Sequence, residues 1–246
     1  MSARSAVVVG GATGIGRACV ELLAATGWSV VSGDVRHEGD SVDELGVRRV
    51  AADATDQASL QALVDAAADT APVRGALYTA GLETHGSVVG MSEADWSRVI
   101  DVNLTGVFRL GKAVVPALRL AGGGSYVVMS SAQAFATEPG AGAYAATKGA
   151  VVSLVRAMAL DHGREGIRVN AVAPGSVDTP LLRANAAAID ASDPDAVMSH
   201  WAGLHALGRL ATTSEIAEVV AFLLDDRSSF VTGATWLADG GLIASF

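Results

Sequence analysis

The sequence predicts an α/β fold: a doubly wound (Rossmann-type) parallel sheet of seven strands with helices on both faces. Three observations carry that prediction. Short β runs alternate with longer helical stretches, the pattern of right-handed βαβ units. The β runs are near-continuously apolar rather than alternating, as strands covered on both faces must be. The 246 residues suit one domain of this class, which can run to roughly 250 residues. The expected single domain spans residues 1–246, with no linker, repeat or low-complexity tract.

In chain order, Ala6-Val7-Val8-Val9 is the first strand run, and residues 15–25 have helical spacing. Residues 28–32 and 47–51 give the second and third strands. Across residues 57–68, Leu60, Leu63, Val64 and Ala67 share one face of an amphipathic helix. Residues 75–79 are the fourth strand. Ser92 starts a helix, with Asp95 three residues on in a capping arrangement. Residues 104–120 form a longer helix that Gly122-Gly123-Gly124 ends. Residues 125–129, 142–162 and 167–172 follow as strand, long helix and strand, closed by Pro174-Gly175. Ile216, Val219, Val220 and Leu223 mark a helix over residues 213–224, and residues 234–237 are the last strand. Residues 180–207 match no element, and a segment of that length is read as a lid or substrate loop. Its Leu181, Leu182, Ile189, Val197, Met198, Trp201, Leu204 and Leu207 predict a partly apolar pocket.

Composition narrows the function. Half the residues are hydrophobic and 17% are charged, which excludes a disordered chain. Seventeen basic against 26 acidic residues leave a net charge of −9. Nucleic-acid binding needs clustered Lys and Arg, so no nucleic-acid partner is expected, and a surface helix for anionic membrane is disfavoured. No apolar stretch reaches spanning length, and Gly10-Gly11 cut the first apolar run too short for a signal peptide. The single cysteine, Cys19, makes no internal disulfide and reads as a core residue. A reducing, cytoplasmic setting is expected. No Cys/His cluster suggests a metal; His200 and His205 lack ligand spacing, and His162 sits near a helix end where it serves the dipole.

Two constellations carry chemistry. Gly10-Gly11-Ala12-Thr13-Gly14-Ile15-Gly16 follows the first strand and opens the first helix. Glycines let a backbone approach a pyrophosphate, and a helix N-terminus supplies N–H groups and a positive dipole end. By itself such a motif is also a tight strand–helix turn. The flanking strand and helix, and Asp34 eighteen residues after Gly16, favour a dinucleotide. An acid there accepts hydrogen bonds from adenine-ribose hydroxyls and repels a 2′-phosphate, so the cofactor is expected to be NAD. Arg36, two residues on, argues the other way unless it pairs with Asp34. Asp53 reaches the adenine edge or caps a helix. The second constellation is Tyr144 and Lys148, four apart on one helix face. A phenol of pKa about 10 is a poor base alone, and an adjacent ammonium stabilises the phenolate. Ser131, ending a strand thirteen residues upstream, offers a hydroxyl to a substrate oxygen.

With those residues in view, the sequence resembles the short-chain dehydrogenase/reductase family over nearly its whole length. The marks are Gly10–Gly16, Asp53, Ala80-Gly81, Asn103-Leu104-Thr105-Gly106, Ser130-Ser131, the Tyr144–Lys148 segment, Asn170–Gly175, Thr179 and Asp239-Gly240-Gly241. The resemblance implies that Tyr144 is the acid/base and that Lys148 holds the nicotinamide ribose and lowers the Tyr144 pKa. It implies that Ser131 orients the substrate and Asn103 supports a water-linked proton relay. It places Gly10, Thr13, Gly14, Ile15, Asp34, Asp53, Ala80, Gly81, Pro174, Gly175, Val177 and Thr179 with Tyr144 and Lys148 around the cofactor. Two positions depart from the pattern. The family usually has Thr where Gly10 stands, so the glycine loop is expected to be looser, and Thr79 stands where Asn is common.

The expected reaction is reversible hydride transfer between NAD and a small-molecule secondary alcohol or ketone. Ser131, Gln133, Tyr144, His85 and Glu138 are the candidate substrate contacts. A 3-oxoacyl thioester reductase is the nearest alternative, although the net negative charge and Asp34 disfavour an acidic carrier protein. A non-catalytic nucleotide sensor would need a broken tetrad, and Asn103, Ser131, Tyr144 and Lys148 are all present. A homotetramer is implied by the resemblance, paired through residues 104–120 and 142–162 and the last strand. Val151, Val152, Leu154, Val155, Met158 and Leu160 spread apolar surface beyond one stripe of that second helix.

Overall fold

Alternation along a strand sends neighbouring side chains to opposite faces of a sheet. In β1 (Ser5–Val9), Val7 and Val9 enter one core while Ala6 and Val8 enter another. The first core is closed by α2 (Gln57–Ala68), α4 (Gly106–Leu120) and α5 (Gly142–His162), through Leu60, Leu63, Leu110, Val114, Val151 and Val155. The second is closed by α1 (Gly14–Ala25) and α8 (Thr213–Leu224), through Cys19, Leu23, Ile216, Val220 and Leu223. Each such aliphatic side chain contributes about 1.5–3 kcal/mol on burial. Burial also pushes the Cys19 thiol up to about 12, which leaves it a core residue. The computed structural model describes residues 3–244, so the outermost two residues at each end of the expected domain lie outside the described residues.

The sheet has eight strands rather than the expected seven. Their order is β3 (Asp40–Val42), β4 (Arg48–Ala51), β2 (Ser29–Asp34), β1, β5 (Val73–Tyr78), β6 (Gly124–Met129), β7 (Ile167–Pro174) and β8 (Thr235–Ala238). The added strand, β3, runs antiparallel to β4, pairing Asp40 with Val50 and Val42 with Arg48. It is short, exposed and held at the edge by an Arg48–Asp40 ion pair of 2.6 Å, so no apolar run marks it in the sequence. The other pairings are parallel. The chain leaves β1 toward β2 and β4, then crosses back to β5 on the other side of β1. The crevice beyond the carboxyl ends of β1 and β5 is therefore the switch point at which such sheets take ligands.

Two further elements differ from expectation. Residues 180–207 are not a loop: they form α6 (Pro180–Ile189) and α7 (Pro194–Gly203). Each starts with proline behind a capping side chain. Thr179 Oγ1 accepts the Leu182 N–H at 3.2 Å, and Asp193 Oδ1 accepts the Ala196 N–H at 3.0 Å. These helices are short and cover a cavity rather than a core, so a continuous apolar stripe is missing. Ser92 caps α3 (Glu93–Ile100) as expected, accepting the Asp95 N–H at 3.0 Å. That helix runs on through a π turn, Asp101–Thr105, into α4. The π turn holds Asn103 buried inside the fold.

Candidate active site

The glycine loop leaves β1 with Gly10 at φ +86° and enters α1 with Gly14 at φ +55°, left-handed conformations that favour glycine. A Cβ at Gly16 would lie 2.0 Å from the Gly10 carbonyl oxygen. The loop is not loose. The Thr79 hydroxyl, at the end of β5, donates to the carbonyls of Val9 at 2.9 Å and Gly10 at 3.1 Å, so the tie comes from the neighbouring strand. The first turn of α1 carries no acid, and Thr13 makes no side-chain cap, so no side chain of the helix itself occupies the positive end of its dipole. A glycine-forced cradle facing an uncapped helix N-terminus fits a pyrophosphate.

Asp34 ends β2 beside this loop. Its carboxylate accepts the Ala12 N–H at 3.1 Å and the Arg36 N–H at 2.9 Å. The Arg36 guanidinium does not pair with Asp34; it donates to Thr13 Oγ1 at 2.8 Å, because the backbone N–H already meets the carboxylate and the long side chain reaches across the loop. Asp53 does not cap α2. It accepts the Thr55 N–H and hydroxyl at 2.8 and 2.7 Å, bonds that hold its carboxyl below the ordinary range. Asp56 is the cap.

Tyr144 and Lys148 lie one turn apart on α5, with the Lys148 Nζ 5.3 Å from the Tyr144 ring centroid. Lys148 is 4% exposed and donates to the Met129 carbonyl at 2.9 Å. Burial pushes its ammonium down to about 8. The Tyr144 phenol is governed here by groups other than Lys148. Burial and the Glu83 carboxylate push the phenol up from its ordinary value, and only a hydrogen bond with Ser131 pulls it back. The Lys148 ammonium is turned to a carbonyl, and its own charge is disfavoured by the same burial. Asn103 gives both ends of its amide to Leu82, accepting its N–H and donating to its carbonyl at 2.8 Å each, and donates to Thr147 Oγ1 at 3.2 Å. A Cβ at Gly81 would stand 3.9 Å from Lys148 Nζ, so this turn passes close over the ammonium.

Tyr144, Lys148 and Gly81 face one cavity of about 370 Å³, whereas Asn103, Gly10, Thr13, Gly14, Asp34, Asp53 and Ala80 are not among its lining residues. Ile15, Gly81, Ser131, Tyr144, Lys148, Pro174, Gly175, Val177 and Thr179 line it, and so do the expected substrate contacts His85, Gln133 and Glu138. Residues 10–243 match a protein family described as enoyl-(acyl carrier protein) reductase. A cis-4-hydroxycyclohexanecarboxylate dehydrogenase of Sinomonas cyclohexanicum is 40% identical, over 98% of this chain and 97% of that protein. A 3-alpha-(or 20-beta)-hydroxysteroid dehydrogenase of Mycobacterium bovis is 37% identical, over 97% of this chain and 89% of that protein. The solved aldohexose dehydrogenase of Thermoplasma acidophilum superposes with a TM-score of 0.93 at 31% identity, covering 100% of this chain and 96% of that one. The chain belongs to the short-chain dehydrogenase/reductase family. It is accordingly an oxidoreductase of the alcohol/ketone pair that works with a nicotinamide cofactor.

In this dehydrogenase/reductase the cavity has an apolar wall as expected from residues 180–207, but only Leu181, Leu182, Trp201 and Leu204 of those eight side chains line it. Met198 is buried, and Ile189 and Leu207 are exposed. Three contributors were not legible in the sequence. Glu83, just past Ala80-Gly81, lines the cavity and accepts the Asn185 amide N–H at 2.7 Å. Asn185 lies on α6, so its meeting with Glu83 is set by tertiary packing alone. His205, expected to be inert, is buried. Its Nε2 accepts the Ser176 N–H at 3.0 Å, and Nδ1 lies 2.8 Å from the Trp201 carbonyl. That pair of bonds ties the Gly175–Val177 turn to the end of α7. The only sequence signal was a lone histidine in an apolar stretch.

Proposed function

We propose that this protein is an NAD-dependent dehydrogenase of a secondary alcohol, running reversibly to the ketone, with Tyr144 as the acid/base. The observation that carries the reading is the cluster of Tyr144, Ser131 and Lys148 on one cavity at the sheet's switch point. The glycine loop and the α1 N-terminus would hold the pyrophosphate, Asp34 the adenine ribose, Asp53 the adenine edge, and Lys148 the nicotinamide ribose. Ala80, Gly81 and the Pro174–Thr179 turn complete the cofactor's surroundings. When bound, the nicotinamide ring takes or gives the hydride and adds a positive charge beside the phenol.

The chain's own part is the proton and the positioning. The Ser131 hydroxyl and the Tyr144 phenol hold the substrate oxygen between them. Tyr144 takes the hydroxyl proton in oxidation and returns it in reduction. Asn103 fixes the Leu82 peptide and supports a water-linked relay for that proton. A positive charge beside Tyr144 lowers a phenol that burial and Glu83 otherwise hold high.

Asp34 supports NAD over NADP, because a carboxylate at the ribose repels a 2′-phosphate. Such a like-charge contact costs a few kcal/mol, on the order of a hundredfold in affinity. The test is kcat/KM for cyclic, steroid and acyl alcohols with each cofactor, on wild type and Asp34→Ser. Wild type is expected to prefer NAD, and the variant to swing the ratio toward NADP by about a hundredfold. Wild-type preference for NADP would show that Arg36, which already reaches the loop, reads the cofactor instead. We further propose a homotetramer in the cytoplasm. Phe108 and Leu120 on α4 and Leu160 on α5 are 53%, 90% and 84% exposed, apolar surface that a partner covers. Sedimentation showing only a 24.8 kDa species would refute the tetramer.

A further inference from the structure

We propose that the Glu83 carboxylate, with Glu138 and Gln133 beside it, accepts a second hydroxyl of the substrate, so that the enzyme takes neutral diols and polyols and rejects alcohols bearing an anion on that side. This names the substrate class of the site just described and rests on that reading of it.

The first support is position. Glu83 lies in the same cavity as Tyr144 and Lys148 and close enough for its charge to be felt by both. The second is an open acceptor. One Glu83 oxygen takes the Asn185 N–H at 2.7 Å, while the other stands 4.0 Å from His85 Nε2, beyond hydrogen-bond reach. Gln133 Oε1, on the same wall, is buried with no partner. A buried acceptor left unmatched costs about 1–3 kcal/mol, so this wall is short of donors rather than of acceptors. The third is charge. Oxygens of Glu83 and Glu138 and a nitrogen of His85 all lie within 4.8 Å of one another, and an anion brought there meets two carboxylates.

The fourth support is what the arrangement costs. Glu83 is mostly buried, and burial holds its carboxyl above the ordinary range. Its charge also raises the phenol that must lose a proton. A carboxylate that opposes both its own ionisation and the chemistry is offset when a substrate hydroxyl donates to it. Across the cavity, Leu181, Leu182, Trp201 and Leu204 offer only apolar surface. The substrate that satisfies both walls is a ring or chain with hydroxyls on one edge and hydrocarbon on the other. The carboxylate named in the substrate of the Sinomonas relative would meet two carboxylates on this wall, with His85 as the one side chain there that can carry a positive charge.

The experiment compares cyclohexanol, the cyclohexanediols, 2-aminocyclohexanol and 4-hydroxycyclohexanecarboxylate on wild type and Glu83→Gln, a change that keeps an acceptor for Asn185. Turnover is followed by nicotinamide absorbance and binding to the NAD-loaded protein by calorimetry. The best diol is expected to exceed cyclohexanol roughly tenfold in kcat/KM, since a site built for a hydroxyl rejects the analogue lacking it. The carboxylate is expected to fall below cyclohexanol. Glu83→Gln should erase most of the diol's advantage and raise the carboxylate's uptake. A ranking unchanged by Glu83→Gln, a preference for the amino alcohol, or a divalent cation that draws the carboxylate in would each overturn the proposal. Calorimetry separates the two readings: diol-selective binding without turnover sinks the reaction and keeps the subsite. Turnover led by the carboxylate keeps the reaction and sinks the subsite. Absence of binding and turnover for every ring overturns both.

Discussion

The glycine-loop end of the site and the wall of its cavity are held by different kinds of group. At the glycine loop the positions are backbone positions at strand ends. Gly10 and Gly16 approach each other so closely that a Cβ at Gly16 would sit 2.0 Å from a carbonyl oxygen, and Thr79 locks the loop to β5. On the cavity wall the groups are side chains drawn from three segments distant in the chain: Glu83 and His85, Gln133 and Glu138, and Leu181 to Leu204 on α6, α7 and the residue after it. The carboxyl ends of the central strands β1 and β5 fix the first side whatever the substrate. The second side is shaped by single side chains that can change without touching the fold, which is how one scaffold serves many alcohols.

The sharpest way to break that contrast is Tyr144→Phe. The substitution keeps the ring and removes the proton carrier, so kcat should fall by about three orders of magnitude or more. The loss should be the same for every alcohol in a panel, with dinucleotide affinity and melting temperature preserved. A variant retaining more than about a tenth of wild-type kcat would remove Tyr144 from the acid/base role. A loss that differed strongly between alcohols would show that the phenol belongs to the substrate wall and not to the common floor.

The same contrast explains what the sequence made legible. The doubly wound order, the glycine turn and the Tyr144–Lys148 spacing are local patterns with a backbone cause, so they are readable in one dimension. The edge strand β3 is not, because Asp40, Ser41 and Val42 pair through Arg48 to Val50 without burying anything. Residues 180–207 match no element in the sequence because α6 and α7, although each opens on a capping side chain and a proline, lack a stripe where they roof a cavity. Glu83 needed Asn185, 102 residues away, and His205 needed Ser176 and Trp201. Partners of that kind are matched by packing, not by spacing. The Tyr144 phenol follows the same rule: spacing shows its i+4 lysine, whereas the burial and the Glu83 carboxylate that hold the phenol high come from packing.

A smaller effect sharpens the comparison from within the floor itself. Lys148 is buried and its ammonium is pushed from 10.5 down to about 8, with desolvation as the leading cause. The charged form is thus less favourable in the fold than in the unfolded chain. The sign follows: the penalty is fully present below about pH 8, shrinks as pH rises from 8 to 10.5, and is gone above that, where both states are neutral. Its full size is about 3 kcal/mol at 1.36 kcal/mol per pH unit. Lys148→Met removes the penalty and also leaves the Met129 carbonyl without its donor, a loss of about 1–3 kcal/mol. The variant should therefore melt at or slightly above wild type at pH 7 while losing turnover. Its lead over wild type should shrink steadily as pH is raised toward 10.5. Melting curves at pH 7, 8.5 and 10 would read this directly. A gap that stayed constant with pH would show that Lys148 carries no burial penalty, and would make the ammonium an ordinary, well-solvated part of the floor rather than a group held there against its own stability.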